Sequence, residues 1–387
     1  MTSKMIVCDV VKNSIWYDPR VKKQIQSYME NGCELVCVGL KEVRYNETEV
    51  SKIPCRVKMV DIDRKYYSEK RNFFTKIIRE LIINRRVCKA IISVKPDIIH
   101  ANDLDSLIPA YRAARKLKCK LIYDTHEIFL ENPWIAGNKL VKSVWSFYEK
   151  HLIHKVDAVV SVSHAAAEYL VEKYGIPEPI VVTNCISIHN QIKDAAEKAD
   201  LKQILNHGQF YGGRGYDIMI EAAPILKEHK DVQLVLRGFG AMEEQLRDRV
   251  KELGADNVYF APPVKVEELI PYASRAYVGL AITEAISINF KLSVSNKIFE
   301  YAAAGLPVIM SDIPEHRYLN EKYQFGIILP SNTPEELAKA IERLVSDETF
   351  YQVCRNNAMK MSTEVNWESH FSKLLQVERQ LVGEENE

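Results

Sequence analysis

Residues able to do chemistry fall in three clusters. The most organised runs from Ser295-Asn296-Lys297-Ile298-Phe299-Glu300-Tyr301 to Gly305-Leu306-Pro307-Val308-Ile309-Met310. Small polar residues start a helix by capping its free amides. Ile298, Phe299, Ala302 and Ala303 give that helix an apolar stripe, Gly305 stops it, and Pro307 bars its return. Val308 to Met310 reads as a buried strand. A helix N-terminus presents unpaired N–H groups and a partial positive charge, which suits phosphate. Glu300, one turn further in, is placed to accept hydrogen bonds from sugar hydroxyls. Together they form a cradle for a nucleotide sugar, although Glu300 alone reads equally well as a solvated helix residue.

The second cluster is the glycine-rich run His207-Gly208-Gln209-Phe210-Tyr211-Gly212-Gly213-Arg214-Gly215. Gly208 and Gly213 let backbone approach a ligand, and Arg214 sits where a guanidinium grips phosphate. A plain turn is the competing reading. The third cluster comprises two strand ends, His100-Ala101-Asn102-Asp103-Leu104-Asp105 and Asp124-Thr125-His126-Glu127. Ligands of open α/β sheets bind just past the carboxyl ends of parallel strands. His100, Asn102, Asp103, His126 and Glu127 are therefore expected at one mouth, with His126 the leading candidate. Each taken singly also reads as a cap or a satisfied surface group. Asp61-Ile62-Asp63 spells a D-x-D triplet, which holds a metal in some sugar transferases; here it reads as a surface loop.

The elements that position these clusters alternate strand and helix. Lys4–Val10 is a strand, Pro19 opens a helix to about Asn31 with Val21, Ile25, Tyr28 and Met29 inward, and Glu34–Gly39 is the next strand, a βαβ unit. No full glycine-rich dinucleotide fingerprint follows the first strand, which counts against a dehydrogenase. Arg56–Val60, Asp97–His100, Leu121–Tyr123, Ala158–Val162 and Ile180–Val182 continue the strands. Gln191–Asp200 is polar and charged and marks a boundary. The pattern then restarts with a strand at Gln203–Leu205 and a helix over Tyr216–Glu228 with Ile218, Met219, Ala222 and Ile225 inward. Later strands follow at Val232–Leu236, Val258–Phe260 and Tyr277–Ala281, and Trp367–Leu381 is a closing amphipathic helix. The expected architecture is two tandem αβα domains with a ligand in the cleft.

Length and charge bound the rest. A chain of 387 residues suits two domains. Formal net charge is zero, which excludes a global drive toward nucleic acid. No apolar run spans a bilayer, and Met1–Val7 turns polar too early for a signal peptide. The eight cysteines are scattered without zinc spacing and read as reduced thiols of a cytoplasmic protein. Arg64 to Val94 interleaves basic and apolar residues. Its second half reads as a long amphipathic helix, either docked on anionic lipid or packed on a core through Ile77, Ile78, Leu81 and Ile82.

The chain resembles the retaining glycosyltransferases of GT-B fold, family 4. The resemblance rests on Asp18-Pro19-Arg20-Val21, the 100–105 and 123–127 runs, Gly213-Arg214-Gly215, and above all Asn296-Lys297-Ile298-Phe299-Glu300-Tyr301 through Ile309. It implies two Rossmann-like domains: residues 1–188 on the acceptor side, completed by a C-terminal helix at 366–387, and 200–365 on the donor side, joined by a linker at 189–199. It implies that Glu300 accepts ribose hydroxyls, that Arg214 neutralises the diphosphate, and that Ser295, Asn296 and Lys297 face that diphosphate. Gly208, Gln209 and Gly213 would line the donor nucleotide, Gln209 standing where many members carry a second arginine. The Ala261-Pro262-Pro263-Val264 loop, Pro263 included, would lie near the base. His126 would lie beside the donor sugar, with Asp18, Asn102, Asp103 and Glu127 on the acceptor side. The first glutamate of the family's E-x7-E pattern is replaced by Leu292, as in the branch with an Asn-Lys-hydrophobic-Phe-Glu-Tyr helix.

Implied function is transfer from a nucleoside-diphosphate sugar, UDP-linked, to a glycan or lipid-linked acceptor of cell-envelope polysaccharide synthesis. No metal cofactor is implied, and the zero net charge sets a nucleic acid partner aside. A cytoplasmic location is expected, and the basic stretch at residues 64–89 motivates peripheral contact with the anionic inner membrane face as one of its two readings. Two alternatives remain at this stage: a GT-B nucleotide-sugar epimerase, and a non-catalytic partner subunit, the latter supported by Leu292 and Gln209.

Overall fold

The computed structural model describes residues 4–41, 45–62, 73–191 and 198–383. Asp63 of the D-x-D triplet, residues 64–72 of the basic stretch and the centre of the expected linker lie outside them. The chain divides into two compact units, Met1–Thr183 with His370–Glu387, and Asn184–Ser369. Each is a parallel sheet layered with helices.

The first unit has seven strands: β1 Ile6–Val10, β2 Glu34–Leu40, β3 Arg56–Val60, β4 Ile98–Asn102, β5 Lys120–Thr125, β6 Ala158–Ser161 and β7 Ile180–Val181. Its helices are α1 Pro19–Glu30, α2 Glu47–Val50, α3 Phe73–Ile92, α4 Asp103–Leu117, α5 Pro133–Ala136, α6 Lys139–Leu152 and α7 His164–Tyr174. The strand order is β3-β2-β1-β4-β5-β6-β7, all parallel, so the order reverses between β1 and β4. Such a reversal splays the following loops apart and opens a crevice at the strands' carboxyl ends. Val7, Val36, Val38, Ile98, Ile99 and Ile122 have no exposed surface, as a sheet covered on both faces requires.

The second unit has six strands: β8 Lys202–Gln209, β9 Val232–Phe239, β10 Val258–Ala261, β11 Val278–Ala281, β12 Val308–Ser311 and β13 Gly326–Leu329. Its helices are α8 Tyr216–Ala222, α9 Glu243–Leu253, α10 Leu269–Ala273, α11 Ile288–Leu292, α12 Asn296–Ala303, α13 Pro314–Tyr323, α14 Pro334–Ser346 and α15 Glu348–Glu364. The last helix, α16 Trp367–Val382, begins here and continues in the first unit. The order is β10-β9-β8-β11-β12-β13, reversing between β8 and β11. No described helix is long and apolar enough to cross a membrane.

Several local expectations are corrected. Strand β8 runs on to Gln209, so Gly208 and Gln209 are strand residues and the loop begins at Phe210. The helix after it stops at Ala222, because Pro224 cannot continue it, and a short 3-10 turn follows. Ile225 on that turn is consequently exposed rather than inward. Met29 is likewise exposed, while Val21, Ile25 and Tyr28 are buried. On α3 the core contacts are made by Ile83, Val87 and Ile91, and Ile77, Ile78 and Leu81 face outward. All eight cysteines are unbridged.

One glycine sets how closely α12 approaches its sheet. A Cβ on Gly279 of β11 would lie 2.3 Å from the Tyr301 ring, and Tyr301 is fully buried. Gly279→Ala therefore forces α12 away from β11. We expect a loss of about 1–3 kcal/mol from overpacking, read as a lowered urea midpoint with unchanged slope.

Candidate active site

In the second unit, the β8/β11 reversal gathers the glycine-rich loop and the start of α12. Ser295 is the N-cap of α12, but its side chain makes no cap hydrogen bond, so the expected hydroxyl cap is absent. Asn296 is exposed at the first turn. Lys297 turns inward and is 9% exposed. Its Nζ donates to Asn206 Oδ1 at 3.1 Å, and Asn206 is fixed in turn by donating to Leu280 O at 3.0 Å. The lysine stem passes over Gly208, where a Cβ would stand 3.4 Å from Lys297 Cε. Burial pushes the Lys297 ammonium down to about 7, helped by the Arg214 charge and opposed by Glu300.

Glu300 is held by His207, whose Nε2 lies 2.6 Å from Glu300 Oε2. The His207 amide donates to Tyr301 Oη at 3.1 Å. Arg214 is half-buried; its Nε donates to Tyr211 Oη at 2.9 Å, and its guanidinium stands 4.8 Å from the Tyr211 ring centre and 5.5 Å from that of Phe290. Glu284 shapes the loop that carries it. The Glu284 amide donates to Gly213 O at 3.1 Å, and Glu284 Oε1 accepts from the Gly215 amide at 3.0 Å. Gly213, at φ +81°, leaves room that a Cβ would take from Ile286 and Phe290, both 2.8 Å away. Among the described residues, neither Lys297 nor Arg214 has a carboxylate within ion-pair distance. Gln209 ends β8 with its carbonyl accepting from Tyr216 Oη at 3.0 Å. Pro263 is exposed beyond β10, beside Pro262, whose carbonyl accepts from Arg237 Nη1 at 2.9 Å.

In the first unit, the ends of β1, β4 and β5 bring Asn102, Asp103 and His126 together. His126 Nε2 lies 2.9 Å from Asn102 Oδ1, and Asn102 Nδ2 donates to Asp9 and to Val10 O. The His126 amide donates to Asp103 Oδ1 at 3.1 Å. Asp103 holds φ +62°, a left-handed conformation costly for a non-glycine residue and concentrated at functional sites. Burial pushes its carboxyl up to about 7, against the His126 charge. Burial alone would lower His126, but Asp103 and then Asp124 outweigh it and raise the imidazole. Asp9 is raised to about 6 by burial, and its Oδ2 has no partner among the described residues.

The other expected residues serve the scaffold. Asp18 caps α1, accepting from the Arg20 and Val21 amides. Glu127 accepts from Asn132 Nδ2 at 2.8 Å. His100 does not reach the mouth. It is fully buried behind it, with Nε2 3.1 Å from Asp124 Oδ2 and Nδ1 3.4 Å from Glu378 Oε1. Asp124 also accepts from Arg20 Nε and Nη2, at 3.1 and 2.9 Å, and from Gln24 Nε2 at 2.8 Å. Tyr28 donates to Glu378 Oε1 at 2.5 Å. Despite burial, the Arg20 guanidinium and then His126 hold Asp124 well below the usual carboxylate range. Burial works against a charged His100, yet hydrogen bonds to Asp124 and Glu378 raise it to about 10.

Sequence reasoning missed Asp9, Asn206 and Glu284, and it gave no role to His207, which opens the glycine-rich run. A signal existed for three of them: each is a polar residue inside an otherwise apolar strand run, Ile6-Val7-Cys8-Asp9-Val10 and Ile204-Leu205-Asn206-His207. Glu284 lies in a loop and had none.

With this geometry in view, comparison with known proteins is decisive for class. The profile "Glycosyl transferases group 1" matches residues 187–361, and "Glycosyltransferase Family 4" matches 26–188. The chain belongs to the family 4-like glycosyltransferases of GT-B fold, and it is a glycosyltransferase. An alpha-D-kanosaminyltransferase of Streptomyces kanamyceticus is 24% identical over 274 residues, 64% of this chain and 67% of that protein. Sucrose-phosphate synthase of Thermosynechococcus elongatus shares the fold with a TM-score of 0.76 at 17% identity, covering 99% of this chain and all of that one. The Anabaena protein HepE, solved with UDP and glucose, does so with a TM-score of 0.69 at 14% identity over 96% of this chain and 99% of that one.

The buried His100 makes stability depend on pH in a defined direction. A histidine raised to about 10 contributes fully below its unfolded value of about 6.5. That contribution is lost as pH rises through the folded value, because the unfolded state has already released its proton. Asp103, raised to about 7, has largely titrated below the upper part of that window. Lys297, lowered to about 7, acts with the opposite sign over this window, so the His100 part is read as a difference: we expect the stability gap between wild type and His100→Gln, measured by urea titration, to narrow as pH rises from about 8 to about 10.

Proposed function

We propose that this chain is a retaining transferase that takes a sugar from a UDP-sugar and passes it to a hydroxyl of a glycan or lipid-linked acceptor. The observation that carries the donor assignment is Lys297: a buried ammonium without a carboxylate partner among the described residues, beside a second cation, Arg214, in the same condition. Two neighbouring unpaired cations at the start of a helix fit a diphosphate. The same-fold Anabaena protein, solved with UDP and glucose, supports testing uridine first.

In this reading the ribose hydroxyls donate to Glu300, which His207 orients. Gly208, Gln209 and Gly213 line the nucleotide, with Pro263 near the base. As the anomeric bond breaks, negative charge develops on the leaving phosphate oxygen. Arg214, Lys297 and the amides at Ser295 to Lys297 are aimed to stabilise it. Retention follows from attack on the face the leaving group departs, with that phosphate oxygen taking the acceptor proton. No carboxylate nucleophile is assigned, unlike the paired carboxylates of hydrolases. The cations supply the charge that a metal otherwise would, so no metal is assigned. On the acceptor side we assign His126, aimed by Asn102 and Asp103, to the transferred sugar, as the family resemblance implies, while Asp18 and Glu127 act through the loops they fasten.

The test is thermal shift and turnover with a panel of nucleoside diphosphates and their sugars. One diphosphate, UDP, is expected to raise the midpoint by mass action. Arg214→Ala and Glu300→Ala should abolish that shift, and Arg214→Ala should lower kcat by about 100-fold or more, the scale for one electrostatic donor. Turnover should survive a chelator. Conversion of the UDP-sugar without acceptor would instead assign an epimerase; no shift with any diphosphate would sink the donor assignment.

A further inference from the structure

Strand β1 buries a carboxylate in the middle of an apolar run. Asp9 is 1% exposed, between Cys8 and Val10, which have no exposed surface. It stands in register with His100 of β4, and so on the same face of the sheet as Asn102, two residues further along. Its Oδ1 accepts from Asn102 Nδ2, and its Oδ2 has no partner among the described residues. Burying a carboxylate for a single amide costs more than the bond returns. An apolar residue would serve the sheet better at this position. The cost is directed at one side chain, that of Asn102.

Asn102 is held with its amide one way round. Val10 O, 3.1 Å from Nδ2, can only accept, and so can an ionised Asp9. Burial raises the Asp9 carboxyl to about 6, so it is ionised above neutrality. Both hydrogens of the Asn102 amide are therefore spent on Asp9 and Val10, and Oδ1 must point the other way. There it meets His126 Nε2 at 2.9 Å. An amide oxygen never donates, so His126 Nε2 carries a hydrogen. The other ring nitrogen, Nδ1, lies 3.7 Å from Asp103 Oδ2, beyond hydrogen-bond reach. The His126 side chain is 14% exposed, so this second edge is the one open to a ligand.

We propose that Asp9 is a positioning residue for the transfer reaction: through Asn102 it holds His126 with Nε2–H turned inward, and so presents Nδ1 to a hydroxyl of the transferred sugar. Nδ1 accepts from that hydroxyl when the ring is neutral and donates to it when the ring is charged. In a histidine, the bond made by one nitrogen fixes the state of the other. The chain from carboxylate to amide to imidazole also polarises each link toward the next, which makes the neutral Nδ1 a better acceptor. The inference rests on the assignment of His126 to the sugar. The state of the ring is measured without substrate, however, so the two fail separately.

Nitrogen NMR of the full-length protein with isotope-labelled histidine reads the ring, His126 being assigned by the resonances lost in His126→Gln. Above the pH at which the ring titrates, wild type is expected as the Nε2–H tautomer. Asp9→Asn, whose amide oxygen can still accept from Asn102, should keep that tautomer, and Asp9→Ala should give a mixture. Turnover is then followed as UDP release from the UDP-sugar that the panel above selects. Asp9→Ala should lower kcat about tenfold, the scale for a partner one link behind a working histidine, with the donor KM within about twofold. Asp9→Asn should recover most of the loss. Circular dichroism and the urea midpoint verify folding; if Asp9→Ala does not fold, Asn102→Ala severs the same chain one link on and is read in its place. A wild-type Nδ1–H tautomer, an unchanged tautomer or kcat in the alanine variant, or equal losses in the asparagine and alanine variants overturns the proposal. A tautomer that answers to Asp9 as expected, with kcat unchanged in His126→Gln, would overturn the assignment of His126 to the sugar and leave the locked ring standing.

Discussion

The first unit is built on one buried carboxylate. Asp124 has no exposed surface and is the second-to-last residue of β5, just before the mouth. Uncompensated, a buried carboxylate costs several kcal/mol. Here Arg20 grips it from α1, Gln24 adds an amide from the next turn, and His100 reaches it from β4. Arg20 also ties Val182 at the end of β7, donating to its carbonyl at 2.7 Å. Through His100 the network passes to Tyr28 and Glu378, so the returning helix α16 is fastened by charge as well as by the Tyr28–Phe371 contact at 4.9 Å. Three separated sequence runs, around Arg20, His100 and Asp124, are thus one physical object.

The two units treat buried charge differently, and that contrast separates scaffold from site. In the first, Arg20 and His100 face Asp124 and Glu378, cation to anion, and the cluster is closed. In the second, Lys297 is buried against the amide oxygen of Asn206, a neutral acceptor, and Arg214 leans on aromatic rings and the Tyr211 hydroxyl. A fold gains nothing from burying an ammionium that it leaves unpaired. The arrangement makes sense for a site completed by an anionic ligand, which is the physical content of the proposed donor site.

Much of this was legible in the sequence because parallel sheets write their strands as apolar runs and their crossovers as amphipathic helices. The helix from Asn296 with its Gly305 stop was placed by those rules, and so were the strands β4 and β5, each read as ending two residues before Asn102 and Thr125. Long-range pairing was not legible. His100 and Asn102, two residues apart, share one face of β4, and nothing in their spacing says that the first meets α1 and α16 while the second meets His126 at the mouth; the packing of those elements decides it. The row on α3, which the sequence left open between lipid and core, follows the same limit. Ile77, Ile78 and Leu81 and the truly buried Ile83, Val87 and Ile91 share one helical periodicity, and only the position of α4 decides which set is covered. Glu284 was invisible because its role is to hold two backbone groups of another loop.

The lowered Lys297 ammonium also constrains how the proposed donor site works. At about 7 it is only partly charged near neutral pH when the site is empty. A diphosphate beside it would favour the charged form, so the lysine takes up a proton as the anion arrives. The empty site is spared a fully charged buried amine, and the charge appears where and when the ligand supplies its counterpart. Arg214, which does not deprotonate, is by contrast left half-exposed, where water can solvate it. In the proposed site the two cations would have different duties: Arg214 would provide a standing attraction, and Lys297 a charge completed by binding and then in place as the leaving phosphate develops its own.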